Sequence, residues 1–458
     1  MKMPSLHSDH ANLFRRTDTK LSLRSLDRMD LKLPFLQSQH AKQLRVHIDH
    51  HYASKAYTCG SAVTGTVVFT PRSDTPFSKV RVSLVGTASV TRQDLDYAKR
   101  ATHFFLRTEM VVPESIYPEA KVFRSGNTYS IPFLFVIPSR LTSSACTHRI
   151  ASGSVKDAHT LLPPSMGTWE RDDLGAPMTN IEYSVQACVE TGSKPCKRSS
   201  MAMADKHVIN VLPYLPEEPP LSIGDINIQY ALDKTKKVRK NMFSSPEGRI
   251  TATAVQPKAV RLDSDGFGSS ESAVLIDLTF EPLSPNATPP EINTLSASLH
   301  TQTWSRQSPN VAFPNMGLLR DAYTQHNSLF SRRSVQTAWT PSTKEAMIDD
   351  TLDLVPYTTT VRVPFNLPMS SKMLLPTFHS CLVSRTYKLD LALSVGNSTL
   401  RFTVPLQITM EHVGQHLQDM VAMTNDFGVG ISEDCSPEDL WPLVPRSTDG
   451  DVLPGYWA

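Results

Sequence analysis

Apolar and polar residues alternate with a period of two through much of this chain, and that period fits half-buried β-strands far better than helices. In residues 387–395 the positions Tyr387, Leu389, Leu391, Leu393 and Val395 are apolar, while Lys388, Asp390 and Ser394 are turned the other way. The turn sequence "GNS" follows. Beyond it Leu400, Phe402, Val404, Leu406, Ile408 and Met410 alternate with Arg401, Thr403 and Gln407. The two runs predict a β-hairpin, 387–395 with 399–410, with one solvated face. Pro405 has no N–H to give a neighbour, so it belongs at an edge or a bulge.

The same alternation runs through Val80, Val82 and Leu84, through Ile181, Tyr183, Val185, Ala187 and Val189, and through Val274, Ile276, Leu278 and Phe280. Residues 133–137, between Pro132 and Pro138, are apolar on both faces and predict a central strand covered on both sides. Helical spacing is confined to 412–423, where Val413, Leu417, Met420 and Val421 predict one short amphipathic helix. The expected class is therefore all-β, built from antiparallel β-sandwiches.

A chain of 458 residues exceeds one ordinary core. The proline-rich stretch "LPYLPEEPPLS" at 212–222 predicts an extended connector between two domains. The division that follows is a mobile tail over 1–42, a first domain over 43–213 and a hinge at 214–218. A second domain covers 219–411, and a short helix with a mobile tail covers 412–458. Residues 305–345 lack alternation and read as an insertion in the second domain.

Charge and cysteine content exclude several functions. The formal net charge is +2, too small for a surface built to neutralise phosphates, so no nucleic-acid partner is expected. The six cysteines, Cys59, Cys146, Cys188, Cys196, Cys381 and Cys435, form no CxxC pair and no zinc-type spacing with histidine. The opening "MKMPSLHSDHANLFRRTD" lacks the apolar stretch of a secretory signal, and no apolar run approaches the roughly 20 residues that cross a bilayer. A reducing, cytoplasmic setting is expected, in which the sequons at Asn286 and Asn397 carry no meaning.

The candidates for chemistry reduce to ordinary structure. In "HIDHHY", Leu44, Val46 and Ile48 take the buried face, which leaves His47 and Asp49 in solvent and sends His50 and His51 to opposite sides. The glycines of "DSDGFGSS" (263–270) precede neither a helix nor a Lys-Ser/Thr pair. Ser165 in "LLPPSMGTWE" has no nearby base, and there is no G-x-S-x-G turn. No catalytic residue, metal site or cofactor is expected, and the protein is read as a non-enzyme.

With the strands in place, a family resemblance emerges. Residues 44–90 resemble the opening strands of an arrestin N-domain in Tyr57, Gly60, Val63, Gly65, Leu84 and Gly86. Residues 123–145 resemble the family's next stretch in Gly126, Tyr129, Pro132, Phe133, Phe135 and Pro138, and 180–190 is similar to the strand after it. Residues 374–395 resemble the C-domain strand pair of fungal arrestin-like proteins. The resemblance implies two antiparallel immunoglobulin-like sandwiches joined by a short hinge, and the function of an arrestin-related trafficking adaptor. Gly65 and Gly86 lie within strands, where glycine marks a bulge or a close approach of backbones.

Two segments then become candidate sites. The basic run Lys234, Lys236, Lys237, Arg239 and Lys240 reads either as a solvated strand face or as a contact for acidic cargo tails or anionic lipid. The C-terminal Leu453, Pro454 and Tyr456, with Gly455 between, form a variant of the Pro-Pro-x-Tyr ligand of WW domains, with Leu in place of the first Pro. Tyr456 and Trp457 packing on the second domain is the alternative. Adaptors of this family recruit WW-bearing HECT ubiquitin ligases to the cytoplasmic tails of membrane transporters or receptors. The resemblance thus implies an adaptor for ubiquitylation and endocytosis, peripheral to the plasma membrane or endosomes. The other reading is an arrestin-fold scaffold in sorting or signalling without a ligase. A carbohydrate-binding or hydrolytic β-protein would need a secretory signal or paired carboxylates, and neither is apparent.

Overall fold

The computed structural model describes residues 43–410, apart from 94–97, 192–200, 226, 242, 264–265, 267, 317–321, 336–337, 343–353 and 370–371. The first half contributes β1 (Leu44–Ile48), β2 (Ala62–Phe69), β3 (Lys79–Gln93), β4 (Ala98–Met110), β5 (Tyr129–Val136), a helix α1 (Gly153–His159), β6 (Thr179–Glu190) and β7 (Met201–Val211). One sheet has the order β1-β2-β5, and the other runs β7-β6-β3-β4 with the short strand Ala56–Tyr57 outside β7. Leu44, Val46, Val63, Val67 and Phe135 of the first sheet and Leu84, Tyr183 and Val185 of the second belong to one apolar core. In β1 the inward and outward positions alternate as the sequence predicts.

Both strand glycines sit at close approaches. A Cβ on Gly65 would run into the His47 carbonyl and the Phe133 ring, and one on Gly86 into the Phe105 ring. The pairing of β3 with β4 also slips at Gly86.

The second half contributes β8 (Asp233–Arg239), β9 (Pro246–Val255), β10 (Ser272–Pro282), β11 (Ile292–Ser305), β12 (Tyr323–Ser334), β13 (Tyr357–Phe365), β14 (Val383–Val395) and β15 (Ser398–Leu406). One sheet runs β8-β9-β10-β13, with Thr340–Pro341 beyond β13. The other runs β12-β11-β14, with Phe378–His379 and β15 both on the far side of β14. The predicted hairpin is present as β14 and β15, closing at Val395 and Ser398, and Pro405 lies opposite Lys388. Among the described residues β15 meets a single bridge on its other side, Ala231 to Thr403, so the proline sits where none of them needs its missing N–H. Antiparallel pairing dominates. Two short parallel pairs, Ala56–Tyr57 with the end of β7 and Val260–Leu262 with Ile408–Met410, each tie the last strand of a half to a short early strand.

The structure corrects three readings of the sequence. Among the described residues β5, read as a central strand, pairs only with β2 and is an edge strand, with Leu134 and Val136 half exposed. Residues 305–345, read as an insertion without strand pattern, contain the whole of β12, which pairs along β11. Its side chains are exposed or half-buried on both faces, so no apolar alternation marks it. Helix α1 was not foreseen either. It is seven residues long, starts at Ser152, whose side chain accepts from the Val155 N–H, and buries Val155, Ala158 and His159. The helix expected at 412–423 lies outside the described residues.

The proline-rich connector has no regular structure and is exposed over 216–220. It is nonetheless pinned at both ends. Leu212 and Leu215 are buried. The Leu212 N–H donates to the Tyr57 carbonyl, Glu218 N–H donates to Gln407 Oε1, and Glu217 Oε1 accepts from the Ala259 N–H. Both sandwiches fall within a single compact unit beginning at Gln43.

Candidate functional site

The basic run becomes β8, the edge strand of its sheet. Strand geometry splits it. Lys234, Lys236 and the buried Val238 share one face, and Lys236 Nζ donates to the Thr399 carbonyl on β15. Lys237 and Arg239 share the other face, with Lys237 opposite Arg249 of β9. Like charges placed this way repel, and Glu281 relieves them by pairing with Arg249 at 2.7 Å. Arg239 Nη1 donates to the Ser244 carbonyl, which shapes the turn that follows. At that turn Phe243 is 98% exposed. The sequence reading passed over this residue, though an aromatic side chain between charged and small residues was a usable signal.

The richest polar contacts occupy the seam between the sandwiches. Residues 165–176, between α1 and β6, form a loop held by its own acids. Gly167 N–H and Gly175 N–H donate to the Asp173 carboxylate, and Leu174 N–H donates to Asp172 Oδ1. Leu174 itself has a φ of 57°, a conformation that a branched side chain holds only under constraint. This loop meets the second sandwich at several points. Arg171 donates to the carbonyls of Met369 and Lys372, Met373 N–H donates to the Asp172 carbonyl, and Lys372 Nζ pairs with Asp172 Oδ2 at 2.5 Å. Burial alone would raise the Asp172 carboxyl. Lys372, the Leu174 N–H and the charge of Arg385 outweigh it and hold the carboxyl below its usual value.

Arg385 of β14 is fully buried in this seam. It donates to the carbonyls of Asp173 and Leu174, to Thr303 Oγ1 and toward the Met166 sulfur. A cleft of about 280 Å³ lies between the connector and the second sandwich, with His379 and Tyr387 among its walls. It is slightly smaller than the roughly 300–1,000 Å³ of common small-molecule sites. Burial, reinforced by His159, lowers His379 to about 3, which keeps its ring neutral.

Residues 44–212 match the family model described as Arrestin (or S-antigen), N-terminal domain. The first sandwich is thus similar to an arrestin N-terminal domain. A comparison with curated proteins finds no match. The matched span ends at the buried Leu212, where the connector begins, and the second sandwich lies beyond it. The span includes Gly65 and Gly86 with their close contacts, together with α1 and the whole 165–176 loop.

His47 points to solvent, and His51 packs edge-on against His207 and lies 3.3 Å from the Tyr57 hydroxyl. Ser165 is buried and accepts from the Val211 N–H, a structural role. Leu453, Pro454 and Tyr456 lie outside the described residues. The sequence reading expects no metal ligands, yet the fold brings Cys146, His148, His159 and Cys381 together, with ligand atoms all within 4.8 Å of one another. Burial, with His148 and His103 adding to it, lowers His159 to about 4, and burial with the neighbouring Cys146 pushes the Cys381 thiol up to about 12. Local spacing could not reveal this group, because Cys381 follows His159 by 222 residues.

Proposed function

We propose that this protein is a non-enzymatic arrestin-like adaptor. In this reading the paired sandwiches hold the cytoplasmic tail of a membrane transporter or receptor. Leu453, Pro454 and Tyr456 then bring a WW-domain HECT ubiquitin ligase to that cargo for ubiquitylation and endocytic trafficking. The observation that carries the reading is the match of residues 44–212 to the arrestin N-terminal domain model. The exposed Phe243 beside the basic β8 adds support for work at the membrane surface of the plasma membrane or endosomes. No helix among the described residues is long and apolar enough to cross a membrane.

The test is a titration of the full chain against isolated WW domains, with Tyr456→Ala alongside. A single motif of this type binds on the order of 10–100 μM, about 5.5–7 kcal/mol. Useful recruitment then depends on several WW domains or a shared membrane. Saturable binding lost in Tyr456→Ala supports the ligase adaptor. Leucine in place of the first proline of the motif favours a second reading, an arrestin-fold scaffold without a ligase. Unchanged behaviour of Tyr456→Ala, with no WW domain bound by the parent chain, would decide for the scaffold.

A further inference from the structure

Cys146, His148 and His159 lie on the excursion between β5 and β6 of the first sandwich, with His159 closing α1. Cys381 lies in the turn between Phe378–His379 and β14 of the second sandwich. The Cys146 sulfur is 3.5 Å from His159 Nδ1 and 3.8 Å from His148 Nδ1, and the Cys381 sulfur is 3.8 Å from His159 Nδ1. In a tetrahedral zinc site, with Zn–S about 2.3 Å and Zn–N about 2.0 Å, donor atoms stand roughly 3.3–3.8 Å apart. The observed separations already match that tetrahedron on three edges. The widest, no more than 4.8 Å, closes with a movement of about one ångström. We propose that Cys146, His148, His159 and Cys381 bind one divalent transition-metal ion, zinc in the first instance, which clamps the first sandwich to the second.

A second observation points the same way. His148 Nε2 lies 3.0 Å from the Asn310 carbonyl. An N–H there donates to that oxygen and leaves Nδ1, which is 3.8 Å from the Cys146 sulfur against 3.9 Å for Nε2, as a lone-pair donor. This is the outer-shell arrangement that orients metal-bound histidines. Asn310 is itself buried, and its N–H donates to the Cys381 carbonyl at 2.7 Å, so one residue steadies ligands from both sandwiches. Alongside, the Ala151 N–H donates to the Val311 carbonyl.

Two sulfurs and two imidazoles suit zinc and disfavour the oxygen-seeking calcium and magnesium. Four protein ligands leave no open position, so the ion is structural rather than catalytic. On binding, the two thiols release their protons to solvent and no electron changes hands. Cys146, His159 and Cys381 are buried, while His148 is half exposed and offers the route of entry.

The test uses the full chain, purified under reducing conditions, loaded with zinc and dialysed against metal-free buffer. Elemental analysis is expected to find about one zinc per chain, as a closed four-ligand site requires. Exchange with cobalt should produce thiolate-to-cobalt charge transfer and the visible bands of a tetrahedral ion. Cys146→Ser/Cys381→Ser should lose both signals. His148→Ala, a milder change at the exposed ligand, should weaken zinc binding at least tenfold. In the parent chain, chelation should also speed hydrogen exchange at the Ala151 and Asn310 amides, which a metal elsewhere would leave alone. Three results would each overturn the proposal. They are only trace zinc in the loaded parent chain, a full equivalent retained by the double cysteine variant, or a Cys146–Cys381 disulfide in protein kept reduced.

Discussion

Arg385 donates through Nη1 to the main-chain carbonyl of Asp173 at 3.0 Å, so a fully buried guanidinium of the second sandwich is anchored on the backbone of the first. No carboxylate hydrogen-bonds to it among the described residues. Its charge is instead spread over the Asp173 and Leu174 carbonyls, Thr303 Oγ1 and the Tyr387 hydroxyl. These acceptors face a dry interior, and each would be left without a donor if the side chain were shortened. The loop that presents them is held by the Asp172 and Asp173 turns, so arginine and loop specify one another's position.

Arg385→Met should therefore destabilise the protein by about 2–4 kcal/mol, since each buried acceptor left unpaired costs about 1–3 kcal/mol and loss of the buried charge returns part of that. Arg385→Lys keeps the charge but cannot serve acceptors on several sides of a planar fork, so it should lose a similar amount. Urea unfolding of the three proteins measures both. If Arg385→Lys matched the parent, charge rather than fork geometry would be what the seam requires.

The seam also has a pH signature. The Asp172 carboxyl is depressed in the folded chain, so its stabilisation is fully present above its unfolded value near pH 3.9 and disappears as the pH falls through the lower folded value. The pair with Lys372 is half exposed, and such pairs contribute about 0–1 kcal/mol. The parent chain should lose more stability than Asp172→Asn on going from about pH 6 to about pH 3, by up to that amount. Parallel denaturation curves at the two pH values give the difference. Equal losses in the two proteins would show that Lys372 gains nothing from the ionised carboxylate.

Strands with one buried face and one wet face were legible because their chemistry alternates, and β14 with β15 is the clearest case. β12 was not, since an edge strand exposed or half-buried on both sides has no face that must be apolar. β5 misled for the opposite reason. Leu134 and Val136 are apolar yet lie on the open side of a sheet edge, so composition there overstates burial. The seam was beyond local reading altogether. Arg385 sits in the run "SRTYKLDL" with nothing nearby to say that residues 173 and 174 complete it, and Cys381 is as remote from its three neighbours. Glycine was a better guide, because a residue without a side chain reports a close approach wherever its partner comes from.

That reading of glycine is testable at two positions. Gly65→Ala would drive a Cβ into the His47 carbonyl and the Phe133 ring. Backbone cannot step aside as a flexible side chain can, so a loss of about 2–3 kcal/mol is expected. Gly153 opens α1 and has nothing within 4 Å of where a Cβ would stand. Gly153→Ala should raise stability by about 0.5 kcal/mol by restricting the unfolded chain. Thermal melts of the two variants should move in opposite directions. A neutral Gly65→Ala would mean that β1 and β2 can separate locally to admit a methyl group.

The last prediction concerns the tip between β8 and β9. Phe243 is almost wholly exposed, and Lys240 and Arg239 precede it on the chain, with Lys237 and Arg249 on the outer face of the sheet. An aromatic ring beside cations is suited to an anionic lipid surface, where the ring enters the headgroup region and each lysine or arginine adds about 1 kcal/mol. Lys237→Glu/Lys240→Glu should weaken binding to phosphatidylserine vesicles by about thirtyfold or more at low salt. Phe243→Ala should weaken it by roughly tenfold, in line with about 1.5 kcal/mol for an aromatic side chain only partly inserted. The charge effect should fade as added salt shortens the screening length to about 8 Å and below, while the Phe243 effect should persist. Vesicle sedimentation across a salt series separates the two contributions. Equal binding to neutral and anionic vesicles, unaltered by the double charge reversal, would return the basic run to the role of a solvated strand edge.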